Sequence, residues 1–592
     1  MSGTSYLQMD GESEESNRRR RTILKTIGAG ALASLAGCSG DDDDSEDVDT
    51  SELTEVHAFE FMGSTSEEGV EHETARLAAE AVAENTPLPA EFAPTRYSRM
   101  VDLAWFERDY DLWYSQSATR MTRLDPYGWG TSYLSEFDSC ANSNIGGISD
   151  ERLDEAINDY SSELDREARQ EKVHQFFEDI NSLEADMPFN NYLGIVEPVI
   201  PSVYNAELFE DPIIIEGLGF RNWWNFNEIT PTGDQTELVT LHTRSSALFN
   251  PLYSGSTNLI AHFNVFDTLV QLGKDGVTIE PHVATDWKLP DDTTFRFDLR
   301  DDVEFHDGEP LTAEDVAFTY DYMENSTWYN DGVGIIESTE VVDETTVTVN
   351  LKEPFYATWL QAFARIPLIP KHIWENIPEE SEADNAHEHP AWETGDYIGS
   401  GHMTFEYWRP EDEIRLEANE DHFSPPEIDA ITMNVLGDTD AMLGELQAGS
   451  GHITPSVTGV DPDVAMQIVE ENDHLEGRNV LSLGQRNYFA NVRAAPLNFD
   501  AVRAAITSVI PRQEIAREVR GDGAARCWDR QQSAAEFWYN QPSEEWGRDT
   551  TGGDRAVEIL EDAGFVIEND TIYYPEGEAP DQKELEGYGC PG

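Results

Sequence analysis

The sequence predicts a large α/β protein with two lobes, and three observations lead to that expectation. About 540 of the 592 residues follow an N-terminal leader and tether, which is more than one compact domain usually holds. Phe295, Phe297 and Leu299 alternate with polar residues, as in a half-buried strand. The stretch 153–160 instead places its apolar residues at helical spacing. Patterns of both kinds alternate along the chain, which favours an α/β fold.

The N-terminus has the features of an export signal. Arg18–Arg21 precede a short apolar run, Ile27–Ala36, as in a twin-arginine signal peptide. About ten apolar residues cannot cross a bilayer that needs roughly 20, which disfavours a transmembrane anchor. The sequence Leu-Ala-Gly-Cys that ends at Cys38 resembles a lipobox, so residues 1–37 are expected to be removed and Cys38 to carry the lipid. Residues 38–52 are then an acidic, disordered tether at the outer face of the membrane.

The charge of the chain excludes some partners. It has 117 acidic and 38 basic residues, a formal net charge of −79, and still retains 39% hydrophobic residues. This surface resembles that of a halophilic protein, in which molar salt shortens the Debye length to about 3 Å and screens self-repulsion. Nucleic acid is excluded, because nothing here could neutralise phosphates. Anionic headgroups would also repel the chain, so it is expected to reach the membrane only through Cys38. The chain is also expected to be a monomer.

Catalysis, cofactors and protein-bound metals are not expected. The chain contains no GxSxG, HExxH, P-loop or GxGxxG motif and no zinc-type cysteine spacing. His387–His389 lies in a polar, acidic stretch that indicates a solvated loop, and His306 sits in a predicted turn. Cys140, Cys527 and Cys590 could form one disulfide or remain free thiols, and their spacing leaves both alternatives open.

Two helix starts are predicted from their capping residues. Thr312 and Asp315 have the spacing of a capping box. Ser149 is predicted as the N-cap of a second helix, with Asp150 and Glu151 in its first turn.

Several stretches, each present once, resemble the motifs of one family. They include FRFDLRDDVEFHDGEPLTAEDV from Phe295, the run PKHIW from Pro370, FSPPEIDAITMNVLGDTDAMLGELQAGSGHI from Phe423 and RAVEILEDAGF from Arg555. Together they resemble the family 5 extracytoplasmic solute-binding proteins, the peptide and nickel receptors of ABC importers. The glycine turn IGSGHMTFEYW departs from the family pattern, with His402 in place of proline and Met403 in place of tyrosine.

The order of these stretches is that of a circular permutant. The block at Phe295 lies in the first quarter of family members but in the middle of this chain, and residues 55–111 resemble a late family segment. The resemblance therefore implies a permuted, two-lobed periplasmic-binding-protein-like fold. Its expected parts are a first piece of lobe two at 53–195, lobe one at 196–484 with the family termini joined near 227–236, and a second piece of lobe two at 485–592.

The resemblance also implies a function and a binding site. A peptide-like or small organic solute would be held between lobes that close by hinge bending and would be delivered to an ABC permease and its ATPase. A nickel chelate or another non-peptide solute, and a sensory receptor without a permease, remain alternatives. The positions that match cleft-facing family loops are Arg120, Thr122, Arg123, Asp125, Trp129, Asn264, Asp267, Trp408, Tyr488 and Asn491.

The loop Arg120–Trp129 departs from the peptide-binding pattern. Peptide binders of the family commonly place an aspartate four residues before the proline of this loop, to pair with the peptide's α-ammonium group. Here that position is Thr122, whereas Asp125 directly precedes the proline. Arg120 and Arg123 suggest a carboxylate or another anion on the solute. The alternative is that these arginines pair with some of the chain's own acids.

Overall fold

The computed structural model describes residues 50–65, 70–116, 121–139, 142–243, 250–252, 258–324, 329–377, 397–454, 460–519, 525–527, 536–538 and 552–580. The predicted signal peptide, most of the predicted tether, Cys38, Arg120, Cys140, His387–His389 and Cys590 lie outside these described residues. The choice between a disulfide and free thiols therefore stays a prediction. Within the described ranges, no helix has the length and apolar character needed to span a membrane.

The strands are numbered in chain order. They are β1 Phe59–Ser64, β2 Ala90–Thr95, β3 Leu112–Gln116, β4 Tyr192–Asn205, β5 Phe209–Glu210, β6 Thr230–Pro231, β7 Glu237–His242, β8 Val270–Leu272, β9 Ile279–Pro281, β10 Ala284–Lys288, β11 Thr294–Leu299, β12 Ile336–Asp343, β13 Thr346–Leu351, β14 Met403–Arg409, β15 Glu413–Ala418, β16 Ala430–Val435, β17 Leu475–Leu481, β18 Arg486–Ala490, β19 Ala525–Cys527, β20 Val566–Glu568 and β21 Thr571–Tyr573.

The α-helices are α1 Val70–Asn85, α2 Tyr97–Val101, α3 Tyr127–Gly130, α4 Glu151–Ser162, α5 Arg166–Asp179, α6 Trp223–Glu228, α7 Asn258–Val265, α8 Ala313–Met323, α9 Asn330–Val333, α10 Lys371–Trp374, α11 Thr439–Ala448, α12 Pro462–Glu471, α13 Asp500–Val509, α14 Arg512–Glu514 and α15 Gly553–Asp562. Short 3₁₀ or π turns cover Thr50–Glu52, Asp102–Glu107, Met121–Leu124, Ser135–Phe137, Trp359–Phe363, Ile515–Val519 and Glu536–Trp538.

One sheet of seven strands begins in what we call lobe two and extends into lobe one through the last part of β4 and through β17. Its order is β17-β4-β18-β3-β1-β2, and β19 also pairs with β4. β1 is parallel to β2 and β3, whereas β18 runs antiparallel to β3 and places Tyr488 opposite Tyr114. The helices α1, α13 and α15 pack against this sheet through a shared apolar core. Residues from both ends of the described chain therefore lie in one sheet and one core.

Two further sheets of four strands form what we call lobe one. One has the order β10-β11-β13-β12, and the other the order β14-β15-β16-β7. Phe295 and Phe297 of β11 pack their rings against Trp359 and Phe363. The alternating strand predicted from Phe295 is confirmed by β11, because local alternation already specifies which face of the strand is apolar.

The predicted capping box is confirmed. The Thr312 side chain and the Asp315 carboxylate each bind the other's backbone N–H at the start of α8. The N-cap predicted at Ser149 is wrong by one residue. Asp150 is the N-cap, since its carboxylate accepts the backbone N–H of Arg152, whereas the Ser149 hydroxyl donates to Ser135.

The lobes are joined by strands that run from one into the other. The first part of β4 pairs with β18 in lobe two, and its last part, Val199–Asn205, pairs with β17. Tyr204 near the end of β4 forms a bridge to Ile453 of lobe one. One continuous apolar cluster reaches from Trp113 of lobe two to Phe295 of lobe one, so the two lobes are packed together.

Candidate functional site

The directions of the paired strands show which edge of the large sheet faces lobe one. Gln116, the last residue of β3, lies opposite Arg486, the first residue of β18. Arg486 in turn lies opposite Val196, beyond which β4 continues toward lobe one. The chain leaves β3 at this edge and returns as the 3₁₀ turn Met121–Leu124. The turn is therefore placed where lobe two meets lobe one.

A small pocket, with a cavity volume of about 20 Å³, lies at this junction. Met121 contributes to it from lobe two. The other lining residues come from the segment that follows the crossing strand β4 and from lobe one, and they are Ile215, Leu218, Arg221, Asn222, Trp223, Trp224, Phe263, Phe266, Thr268, Gln271, Leu272 and Ala364. In this form of the protein the cavity has room for about one water molecule, and its lining is apolar and aromatic with a few polar groups.

The pocket lining carries positive charge. Arg221 is only 7% exposed, and burial lowers the pKa of its guanidinium to about 10. The group is still protonated at neutral pH. None of the thirteen described lining residues is Asp or Glu, although the whole chain has 117 acidic residues. The described lining thus contains one cationic side chain and no acidic one.

Most polar groups of the lining form hydrogen bonds within the protein. Asn222 donates to the carbonyl oxygens of Ile213 and Gly219, and the Thr268 hydroxyl donates to that of Val270. Trp224 donates its indole N–H to the Leu272 carbonyl oxygen at 2.6 Å. Trp223 differs, because its indole Nε1 is buried and has no hydrogen-bond partner among the described residues.

A buried cluster of histidines lies behind Trp223. The Trp223 ring makes edge contacts with His282 at 4.9 Å and with His402 at 5.3 Å between ring centroids. His282 donates to the Asp267 carboxylate at 2.8 Å, and His422 approaches the same carboxylate at 3.3 Å. Burial would raise the pKa of Asp267, but His422 and His282 outweigh it and hold this pKa well below its usual range. Among the described residues, no group of three or more His, Cys, Asp or Glu side chains is arranged to hold a metal ion.

The two lobes touch beside the pocket. The rings of Tyr127 in lobe two and Phe355 in lobe one meet edge to face, with centroids 4.6 Å apart. The backbone N–H of Tyr356 donates to the Ser161 carbonyl oxygen at 2.8 Å, and the Arg169 guanidinium lies 4.4 Å from the centre of the Tyr356 ring. These contacts place the turn before Trp359 of lobe one on the helices α4 and α5 of lobe two.

Comparison with known proteins then places the chain in a family. Residues 278–587 match the bacterial extracellular solute-binding proteins, family 5, middle region. This chain belongs to that family. The predicted family, and with it the mixed α/β fold class, is confirmed.

The chain is also similar to individual family members. It is 29% identical over 318 residues to a putative ABC transporter peptide-binding protein of Brucella ovis, which is 52% of this chain and 52% of that protein. It is 28% identical over 301 residues to the oligopeptide-binding protein AppA of Bacillus subtilis, 48% of this chain and 52% of that one. The chain thus spans about half the length of the curated relatives it matches.

Two solved structures are similar over larger parts. One is AppA from Bacillus subtilis in complex with a nonapeptide, with 24% identity, 58% of this chain and 68% of that chain covered, and a TM-score of 0.39. The other is NikZ from Campylobacter jejuni in complex with Ni(L-His), with 19% identity, coverages of 58% and 66%, and a TM-score of 0.40.

The sequence singled out the loop Arg120–Trp129 of this family 5 protein. In the described part of that loop, most polar side chains contact other groups of the protein. Both oxygens of Asp125 accept from Arg169, at 2.6 and 2.8 Å, and both side chains are buried. The Arg123 guanidinium stacks 4.3 Å above the Trp129 ring, and the Trp129 indole donates to the Arg123 carbonyl oxygen. Thr122 is buried. The loop reaches the pocket through Met121.

The remaining predicted site residues lie elsewhere in the fold. The Tyr488 hydroxyl donates to the Ala75 carbonyl oxygen of α1, on one face of the large sheet. Asn491 follows the end of β18 that is farther from lobe one, where its amide donates to the Arg108 and Tyr110 carbonyl oxygens. Trp408 lies on β14 opposite Ile414. Asn264 and Asp267 are buried beside the pocket wall formed by Phe263, Phe266 and Thr268.

Sequence reasoning missed Arg221, Trp223 and Trp224. They lie in the run GLGFRNWWNF, just before the polar connector expected to join the family termini. A signal was present, because an arginine beside paired tryptophans is unusual in a chain with only 38 basic residues.

Proposed function

We propose that this chain captures a peptide-like or small organic solute between its lobes and delivers it to an ABC permease driven by its ATPase. The observation that carries the proposal is the pocket itself, which is lined by Met121 from lobe two and by Trp223 and Phe266 from the opposite side. Membership of a solute-binding family and relatives named as peptide-binding proteins support it. We expect no catalytic activity.

Closure of the lobes is the proposed means of capture. Strands such as β4 connect the lobes, and a few residues in such connections can act as a hinge. The Asp125–Arg169 pair links the turn that carries Met121 to α5, and Arg169 also lies against Tyr356 of lobe one. A solute that contacts Met121 therefore acts on the same rigid unit that meets lobe one in the closed form.

We also propose that the chain is a circular permutant of its family, with the lobe bounds given above. In support, the early strand β3 and the late strand β18 pair in one sheet. Residues near both ends are also neighbours, since the Tyr574 N–H donates to the Thr54 carbonyl oxygen at 2.9 Å and Glu55 forms a bridge with Tyr573. Adjacent termini are what allow a chain to be rejoined and cut elsewhere.

Anchoring at the outer face of the membrane is proposed from the sequence. Cys38 would carry the lipid after twin-arginine export, and the acidic surface would suit a highly saline exterior. Mass spectrometry of the exported protein should show residues 1–37 removed and a lipid mass on Cys38. A mature chain that retains its leader would contradict this part.

Native mass spectrometry of the exported full chain tests the main proposal. We expect one bound solute per protein, and small-angle scattering should show a more compact protein with solute than after its removal. Arg409→Met, a substitution of an exposed arginine on β14, is a matched control and should change neither result. Absence of any bound solute, together with no binding in a broad solute screen, would contradict solute capture.

A further inference from the structure

We propose that Trp538 is a positioning residue for solute capture, which holds Tyr356 of lobe one against Arg169 of lobe two. This rests on the proposed function, because it names a residue that stabilises the closed form of the lobes. Trp538 ends the short turn Glu536–Trp538 and is only 3% exposed. It is not among the described residues that line the pocket at the lobe junction, so its proposed effect passes through its neighbours.

The mutual contact of three side chains is the first argument. The guanidinium carbon of Arg169 lies 4.4 Å from the centre of the Tyr356 ring and 4.9 Å from the centre of the Trp538 ring. The two rings meet edge to face, with centroids 6.3 Å apart. A cation over an aromatic face and an edge-to-face ring pair are both favourable arrangements. Each side chain therefore contacts the other two, and Tyr356 is the one that lobe one supplies.

The second argument is that Arg169 is fixed before the lobes meet. Both oxygens of Asp125 accept from it, at 2.6 and 2.8 Å, and its Nε–H donates to the Tyr160 carbonyl oxygen at 2.9 Å. These bonds use donors on the edge of the planar guanidinium, so the face of the group is available for aromatic rings. The position of Arg169 is therefore set by α4 and by the turn that reaches the pocket, and it is the same position that Trp538 and Tyr356 contact.

The third argument is that the turn of Trp538 is attached to lobe two by contacts of its own. The Gln170 side-chain amide donates to the Phe537 carbonyl oxygen, and the Arg166 guanidinium carbon lies 4.9 Å from the centre of the Phe537 ring. The rings of Phe537 and Trp538 meet edge to face, with centroids 4.7 Å apart. Gln170 and Arg166 belong to α5, so the turn is held on lobe two while Trp538 carries the contact with Tyr356 of lobe one.

On the side of lobe one, the contact is made by one short stretch of chain. Tyr356 donates its backbone N–H to the Ser161 carbonyl oxygen at 2.8 Å, and the ring of the preceding Phe355 meets that of Tyr127. Burial raises the pKa of Tyr356 to about 12, because its hydroxyl group is partly withdrawn from water. Loss of the Trp538 ring should therefore loosen these contacts and make the closed form less stable, which shortens the time for which a solute is held.

Amide hydrogen exchange of the exported full chain tests the contact without any added ligand. The Tyr356 N–H is a direct reporter, because it donates across the lobes to Ser161. Trp538→Leu, which removes the ring but keeps an apolar side chain, should speed this exchange about 3- to 10-fold, while the amides of β11 keep their protection. Trp374→Leu is the matched control. Trp374 is also buried, but it packs against Tyr322 within lobe one, so the exchange of Tyr356 should not change.

Binding kinetics connect the contact to solute retention, with the solute that co-purifies with the exported chain as the probe. Trp538→Leu should raise its dissociation rate about 3- to 10-fold and leave the association rate within about twofold, because the solute enters the open form. Trp538→Phe keeps a ring beside Arg169 and should be intermediate in both measurements, which decides the question if Trp538→Leu does not fold. In a double-mutant cycle, Trp538→Leu should add little once Tyr356→Ala has removed its partner in lobe one.

The outcomes separate this proposal from solute capture itself. Unchanged exchange of the Tyr356 N–H in the Trp538 variants overturns the contact, whether or not a solute binds. Faster exchange with an unchanged dissociation rate, or an effect of Trp538→Leu that is the same with and without the Tyr356 ring, overturns the positioning role and leaves solute capture standing. Absence of any bound solute in native mass spectrometry, with no binding in a broad solute screen, overturns solute capture and the positioning role with it, while the exchange of Tyr356 still decides whether Trp538 holds the lobes together.

Discussion

The two walls of the pocket use their charged residues in opposite ways. In lobe two, Asp125 is paired with Arg169 inside the protein, and Arg123 is stacked on Trp129. On the opposite wall, Arg221 is buried in the pocket lining, where no described residue is acidic. A charged residue in a predicted binding loop can therefore pair within the protein, while one outside the predicted loops can line the pocket.

This contrast arises from how each wall is supported. The turn Met121–Leu124 is fixed from behind by an ion pair to α5, which makes it a rigid contact surface. Trp223 is supported by edge contacts with His282 and His402, next to the buried Asp267 carboxylate. We expect the stability of lobe two to depend on the charge of one buried ion pair. We expect the stability of lobe one to fall when acid protonates its histidines.

Removal of Arg169 should have the largest effect. Arg169→Met leaves the buried Asp125 carboxylate without its partner, which should lower the free energy of unfolding by about 3–5 kcal/mol. Urea denaturation measures the loss. Arg152→Met is the control, since the Arg152 side chain is 46% exposed and its solvent-screened ion pairs should contribute little to stability. Similar losses in the two variants would contradict a special role for the buried pair.

Lowering the pH should have the next largest effect, because it should destabilise lobe one. Burial lowers the pKa of His242 to about 4 and that of His262 to about 3. These histidines stay neutral in the folded state, while the unfolded chain binds protons below about pH 6.5, so stability falls as the pH drops below that value. The proton linkage of each histidine should lower the free energy of unfolding by about 2 kcal/mol by pH 5. Urea unfolding between pH 7 and 5 measures the slope.

Substitution of either histidine should reduce that slope. The slope depends on how many more protons the unfolded state binds than the folded state. His242→Asn should lower that number by about one, even if it also changes the stability at pH 7. An unchanged slope in His242→Asn would contradict the assignment.

Rejoining the chain in the family order should have a smaller effect. A variant that links residue 574 to residue 54 through a short Gly-Ser segment and opens the chain at Gly233 should fold, with stability within about 2 kcal/mol of the natural order. Residues 54 and 574 are hydrogen-bonded neighbours, and Gly233 has open space around its α-carbon. Circular dichroism and urea unfolding check it. Failure to fold, when linkers of several lengths are tried, would contradict the proposed permutation.

The contact between the lobes should affect binding more than folding. Tyr356→Ala removes the ring beside Arg169, and we expect affinity for the co-purified solute to fall about 3- to 10-fold, because the closed form loses about 1 kcal/mol. Tyr407→Ala on β14 is the control and should not change affinity. Equal affinity in both variants would exclude Tyr356 from the closing contact.

Arg123 should have the smallest effect. Arg123→Ala removes the stack on Trp129, worth about 0.5–1 kcal/mol at a half-exposed site. Affinity for the co-purified solute should stay within about twofold. A tenfold loss would instead support a solute contact at Arg123, in the loop from which the sequence suggested it.

Local features of the fold were predictable because they depend on neighbouring residues. The strand at β11 follows from the alternation of Phe295, Phe297 and Leu299, and the start of α8 follows from the capping box of Thr312 and Asp315. The N-cap at Asp150 was missed by one residue because two adjacent polar residues can both cap, and only the backbone geometry chooses between them.

The site was less predictable because partners distant in sequence decide it. Asp125 pairs with Arg169, 44 positions away, and the Tyr488 hydroxyl binds Ala75, 413 positions away. Each of these residues matched a cleft-facing family loop, and a one-dimensional pattern does not show which side chains meet an internal partner. Asn491 likewise follows the correct strand but at the end farther from lobe one.

The sequence by itself determined the family and the α/β class, because these depend on motifs and periodicity that are read along the chain. Only the tertiary structure decided which charged residues pair with partners distant in sequence and which line the pocket. The physical reason is that desolvation and pairing act over a few ångströms in space. Arg123 and Arg221 are both arginines in an acidic chain, and only their surroundings distinguish them.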